Sequence, residues 1–157
     1  MNFKLLLYLA IISIVFSESN HTHNHSHENE LGIAIGIVPG HEDEESTFGL
    51  HLHYVKGIGE HNDFGIGISL ETIFDEHEHN SVSIISTYHF NNGFTIAYAP
   101  GILFADHNGR TESKFTQHFE FYYELELEHF HVGPQFDIGL EDGEIHYMLG
   151  LHLGVDF

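Results

Sequence analysis

The chain has 157 residues, with 24 Asp and Glu against 4 Lys and Arg, a formal charge of −20, 17 His and no Cys. That is the length of one domain, and its charge excludes a nucleic-acid partner or an anionic-lipid clamp, since both need clustered cations. Lack of cysteine removes disulfides, thiolate metal sites, thiol chemistry and an N-terminal lipidated Cys, so any metal must be held by imidazole, carboxylate or backbone oxygen.

In chain order, the first segment is targeting sequence. Met1 to Phe16 carries one cation, Lys4, and a twelve-residue apolar run from Leu5 to Phe16, followed by small and polar residues. Twelve apolar residues are too few to cross a bilayer as a helix, so residues 1–17 read as a secretory signal peptide. Val15 and Ser17 fit the small-residue pattern for cleavage after Ser17, with Ser19 as the alternative. Residues 18–30 follow as a tail with almost nothing apolar to bury, and its alternating His21, His23, His25 and His27 can wrap a divalent cation without any fold.

From Leu31 to Phe157 the pattern has period two, broken by clusters of Gly, Asn and Asp, which is the signal of strands. Eight runs are predicted: Leu31 to Val38, Phe48 to Lys56, Phe64 to Phe74, Ser81 to Phe90, Phe94 to Phe104, Phe115 to Leu127, Phe130 to Leu140 and Glu144 to Phe157. Asp142-Gly143 is a hairpin turn that pairs Leu140 with Ile145, and Asn91-Asn92-Gly93 brings Phe90 to Phe94. Pro39 to Thr47, Asp75 to Asn80, Ala105 to Lys114 and Glu141 to Gly143 are the loops at one end. Pro100 and Pro134 fall inside runs, where a missing N–H predicts a local bulge.

In each run one parity is almost purely apolar. The other carries every strand histidine (His51, His53, His89, His118, His131, His146, His152) and every strand carboxylate (Glu71, Glu120, Glu124, Glu126, Asp137, Glu144, Asp156). Two features send the apolar parity outward. The polar parity is rich in Gly, Ala and Ser, as the crowded inside of a narrow barrel requires. Aromatic residues close the apolar runs, Phe48 and Tyr54, Phe64 and Phe74, Phe94 and Phe104 among them, as girdles flanking a lipid-facing band do.

Tyr147, Leu149, Leu151, Leu153, Val155 and the terminal Phe157 complete the pattern. This ending is similar to the alternating C-terminal signal read by the barrel-assembly machinery, and the whole of residues 31–157 resembles a small eight-stranded Gram-negative outer-membrane β-barrel. The resemblance implies an all-β fold, a closed antiparallel up-and-down barrel in the lipid bilayer of the outer membrane, with both termini in the periplasm. It implies no particular function.

For chemistry, residues two apart on a strand share a face about 7 Å apart, so His51 and His53 point together, as do His118, Glu120 and Glu124. A tight turn at Glu128-His129 pairs Leu127 with Phe130, which sets Glu126 beside His131 and Glu120 beside Asp137. Adjacent carboxylates inside a barrel require a proton or a cation between them. No Lys or Arg falls inside a predicted run except at its flank, so histidine or metal must balance them. The candidate metal ligands are therefore His51, His53, His118, Glu120, Glu124, His131, Asp137, His146 and His152, centred on Glu120 and Asp137, with the four tail histidines as a second set. Imidazole with carboxylate suits Zn and equally Ni, Cu, Mn or Fe(II). The function expected is capture, buffering or assisted uptake of divalent cations, without catalysis, because Ser81, Ser83 and Ser86 have no evident His and acid pair. The competing reading is a structural barrel or surface interaction module whose lumen holds a ligand-free hydrogen-bonded network.

Overall fold

A computed structural model describes residues 28–40, 45–59, 62–75, 79–90, 92–107, 110–127, 130–141 and 143–157, with backbone only at residues 106, 107 and 110. The signal peptide, the tail histidines, and much of the His41 to Glu45 and Asp75 to His79 loops lie outside these residues. The strands are β1 (Asn29–Val38), β2 (Thr47–Ile58), β3 (Phe64–Ile73), β4 (His79–His89), β5 (Phe94–His107), β6 (Arg110–Tyr123), β7 (Leu125–Leu127), β8 (Phe130–Glu141) and β9 (Glu144–Asp156).

Each strand pairs antiparallel with the next, β6 and β7 both pair with β8, and β9 returns to β1. β6 and β7 keep one register against β8, Tyr122 facing Gln135 and Leu125 facing Val132, so they are two pieces of one barrel strand. The result is a closed eight-stranded antiparallel barrel with no free edge, in which the strands bond to one another around the whole ring. The terminal residue completes the seam: Phe157 N donates to Asn29 O at 3.0 Å and Asn29 Nδ2 donates to Phe157 O at 3.1 Å.

The parity holds along every strand except the three-residue β7, which is exposed throughout. Ile35, Ile37, Ile66, Ile68, Val82, Ile84, Leu149 and Leu151 lie on the outside, at least half exposed, while the alternate residues are buried. Two aromatic girdles bound this apolar band. Phe64, Tyr88, Phe90 and Phe94 stack in sequence at the end carrying the termini. Phe48, Phe74, Phe104 and Phe115 ring the opposite end, all exposed. The predicted turns form as well: Leu140 pairs with Ile145 across Gly143, whose φ of 91° is the left-handed conformation that a tight hairpin requires and glycine tolerates.

Three expectations need correction. Pro100 and Pro134 make no bulge: Ser83 pairs with Gly101 and Ser86 with Tyr98 in one unbroken register, and Pro134 stays paired with Leu151. Each proline simply leaves a gap in the ladder on one side, because a missing N–H removes one bond without requiring an extra residue. Ala105 to Lys114 is not a loop; β5 and β6 run on as a hairpin to His107 paired with Arg110. Its polar side chains marked it as a loop, but strands that project beyond the apolar band can be polar on both faces. Lys114 consequently lies within β6 rather than at its flank.

The outward placement of Leu151, 64% exposed near the middle of β9, generates a test of the barrel. Leu151→Arg should destabilise the barrel refolded in lipid by about 2–4 kcal/mol, read by denaturant titration and by loss of heat-modifiable migration, whereas an aqueous sandwich would tolerate it.

Candidate metal centre

The lumen is lined by short side chains on which long polar ones lie. An imidazole on one strand crosses over the glycine paired with it on the next: His53 over Gly32, His131 over Gly154, and His146 over Gly139, with His152 also reaching over Gly32 from β9. A Cβ on Gly32 would stand 2.1 Å from His53 Nε2, and one on Gly139 would stand 1.9 Å from His146 Nε2. The glycines are therefore the floor of the histidine sites.

All nine lumenal candidates point inward, with His146 half-buried and the other eight buried. Glu120 and Asp137 are cross-strand partners as predicted, and Glu126 faces His131. The two carboxylates nevertheless serve different histidines. Glu120 Oε2 lies 3.1 Å from His51 Nδ1 and accepts from Gln135 Nε2 at 3.0 Å. Asp137 Oδ2 lies 3.3 Å from His118 Nδ1, while His118 Nε2 lies 3.1 Å from Glu71 Oε2.

Among the described residues, four groups of three bring one ligand atom each to within 4.8 Å of one another: Glu71, His118 and His146; His51, His53 and Glu120; Glu30, His53 and His152; and Glu30, His89 and Glu124. His131 and Asp137 stand beside these groups rather than in them. His131 reaches Glu30 Oε1 at 3.4 Å and Asp156 Oδ2 at 3.4 Å. Three members, Glu30, Glu71 and His89, were not among the predicted ligands. Glu30 was counted with the tail, yet β1 begins at Asn29, and Glu30 is 1% exposed with His53 Nε2 at 2.9 Å. Its parity matches that of Gly32 and Ala34, the signal that would have found it. Glu71 has the right parity and faces His51 across β2 and β3, a register that sequence could supply only once that hairpin was fixed.

The first group lies at an opening. A cup of about 700 Å³ at the end opposite the termini has Glu71, His118 and His146 among its lining residues. Above them the wall carries Glu45, Asp75, Glu112, Glu141 and Glu144, and Lys114 Nζ sits 3.3 Å from Glu141 Oε1. His79 Nδ1 is hydrogen-bonded to Asp75 Oδ2 on the same rim. The other three groups are deeper. At the end carrying the termini, His89 is held between Thr87 and Thr95, each hydroxyl 3.1 Å from a ring nitrogen, and Thr95 Oγ1 donates to Glu124 Oε1 at 2.8 Å. Such an arrangement offers nitrogen and oxygen donors at spacings suited to a borderline divalent ion.

No protein-family model matches the chain, and no curated protein matches it in sequence. Solved structures do. Neisserial surface protein A is similar over 82% of this chain and 96% of its own, with a TM-score of 0.55 and 9% identity. Ail, the attachment invasion locus protein of Yersinia pestis, matches over 83% of this chain and 99% of its own, with a TM-score of 0.55 and 18% identity. The N-terminal β-barrel domain of Pseudomonas aeruginosa OprF matches over 83% and 98%, with a TM-score of 0.52 and 16% identity. The chain thus has the fold of the small eight-stranded outer-membrane barrels, and at these identities the likeness is one of fold.

Because Gly139 underlies His146, Gly139→Ala should leave the barrel folded but drive the ring from its place. The check is a histidine-labelled NMR spectrum in detergent, in which the His146 ring signals shift strongly; an unchanged spectrum would show that the ring does not depend on the glycine.

Proposed function

We propose that the protein resides in the outer membrane, termini in the periplasm, inserted by the barrel-assembly machinery through its C-terminal strand, and that its lumen captures divalent metal cations such as Zn. The observation that carries this reading is the Glu71, His118 and His146 group set in the lining of the acidic cup. The rim raises the local concentration of cations, and two imidazoles with one carboxylate complete a binding set once the ion arrives. Asp137, 3.3 Å from the other nitrogen of His118, orients that ring as outer-shell carboxylates do for metal-bound histidine.

Charge also argues against an anionic ligand at this mouth. One structure of Ail is a complex with the heparin analogue sucrose octasulfate. Here Glu45, Asp75, Glu112, Glu141 and Glu144 would repel a polysulfate. At Glu120, Oε2 already receives both Gln135 and His51, so the capture reading does not rest on that oxygen. Binding at the mouth does not involve that carboxylate.

The test is calorimetric titration of Zn into the refolded chain with His21, His23, His25 and His27 replaced by Ala, which removes the tail's contribution. Saturable binding is expected, weakened by about 10- to 100-fold in His118→Ala and in Glu71→Gln. Absence of saturable binding, or variants indistinguishable from the parent, refutes the capture reading in favour of the structural one.

A further inference from the structure

Resting on the capture reading, we infer that the lumen is a cation relay, passing a divalent ion from the mouth through overlapping ligand groups to the end of the barrel that carries the termini. The groups are not isolated. His53 belongs to both the His51, His53, Glu120 group and the Glu30, His53, His152 group, and Glu30 belongs to that group and to the Glu30, His89, Glu124 group. The mouth group joins the series by two cross-strand pairs, Glu71 with His51 and Asp137 with Glu120.

Shared ligands matter because an ion released bare into a narrow, poorly hydrated lumen would lose its solvation with nothing in exchange. An ion that acquires its next ligand before leaving its last is never bare. A second observation points the same way. Along this route Glu71 Oε1, Asp137 Oδ1, Glu120 Oε1, His53 Nδ1, Glu30 Oε2 and both ring nitrogens of His152 are buried atoms without a hydrogen-bond partner. Each stage of the route therefore holds at least one donor atom that the protein's own network leaves uncommitted, and buried polar atoms are otherwise rarely left so. Beside the route, Val55, Ile85, Ala97, Ala99 and Tyr122 form an apolar cluster, with the Tyr122 ring 4.4 Å from that of His152.

The experiment uses the full chain refolded into phosphatidylcholine vesicles enclosing a Zn-sensitive dye, with potassium and valinomycin to dissipate the potential and Zn added outside. Influx above that of protein-free vesicles is expected. His53→Gln and Glu30→Gln should each slow it by about ten-fold or more while leaving Zn affinity at the mouth near that of the parent, since neither residue belongs to the mouth group. Heat-modifiable migration verifies that each variant is folded, and the parent's influx decides the question should either fail to fold. A parent that binds Zn in titration yet gives no influx overturns the relay and leaves capture standing. Variants that conduct as fast as the parent also overturn it. A parent that does not bind Zn at all overturns the capture reading itself.

Discussion

The structure depends on how buried carboxylates are compensated. Glu30, Glu71, Glu120, Glu124 and Asp137 all face inward and are buried, and among the described side chains Lys114 at the rim is the one Lys or Arg that faces the lumen. An unpaired carboxylate in such a place costs several kcal/mol, and removing one partner of a buried pair costs about 3–5 kcal/mol. Imidazole takes the role that guanidinium or ammonium fills in an ordinary polar plug, with Glu71, Glu120 and Glu30 each within 3.1 Å of a histidine nitrogen. The substitution changes what the lumen can do. Arg can only donate, whereas neutral imidazole also presents a lone pair, so a pair formed of His and Glu can exchange a proton for a metal ion without dismantling its geometry.

Space is the second constraint, and it follows from the first. Rings that compensate carboxylates must fit inside a barrel of only eight strands, whose interior is barely wide enough for side chains. They fit by lying along the wall over a paired glycine, as His131 does over Gly154 and His146 over Gly139. The same small residues that betrayed the inner parity in the sequence are thus the counterparts of the histidines. Glycine and histidine form one device distributed over neighbouring strands.

Strands, parity and most of the register were legible because a closed barrel in lipid has only two environments, and a period of two sorts residues between them. The Leu140 to Ile145 and Leu127 to Phe130 pairings followed from tight turns, and with them came the Glu120 and Asp137 neighbours. What was not legible is where a side chain goes after leaving its Cα. Although Glu120 and Asp137 are paired on the backbone, Glu120 turns across the lumen to His51 on β2, and Asp137 turns to His118, its diagonal neighbour on the adjacent β6. Register predicts neighbours along the wall, and an eight-stranded lumen is narrow enough for contacts across it to compete. Glu30 was lost for a different reason. Nothing apolar precedes Leu31, so the start of β1 had no outward partner to mark it, and only closure against Asp156 of β9 and Val55 of β2 defines it.

Apolar packing fills part of the lumen beside the ligand groups. β5 sends Thr95, Ala97, Ala99, Gly101, Leu103 and Ala105 inward and contributes nothing to the four ligand groups, and β4 contributes only His89. Val55, Ile85, Ala97 and Ala99, with a second cluster of Ala34, Val38, Ile73 and Met148 nearer the mouth, pack without any requirement for partners. Packing of this kind holds the barrel's cross-section by dispersion and leaves the polar groups free of a structural role that every hydrogen bond would have to serve. A lumen that was polar throughout would need each donor and acceptor satisfied to be stable, and would have no uncommitted atoms to offer. The apolar clusters are therefore what permits the ligand groups to keep buried oxygens and nitrogens unpaired, and with them the capacity to bind an ion.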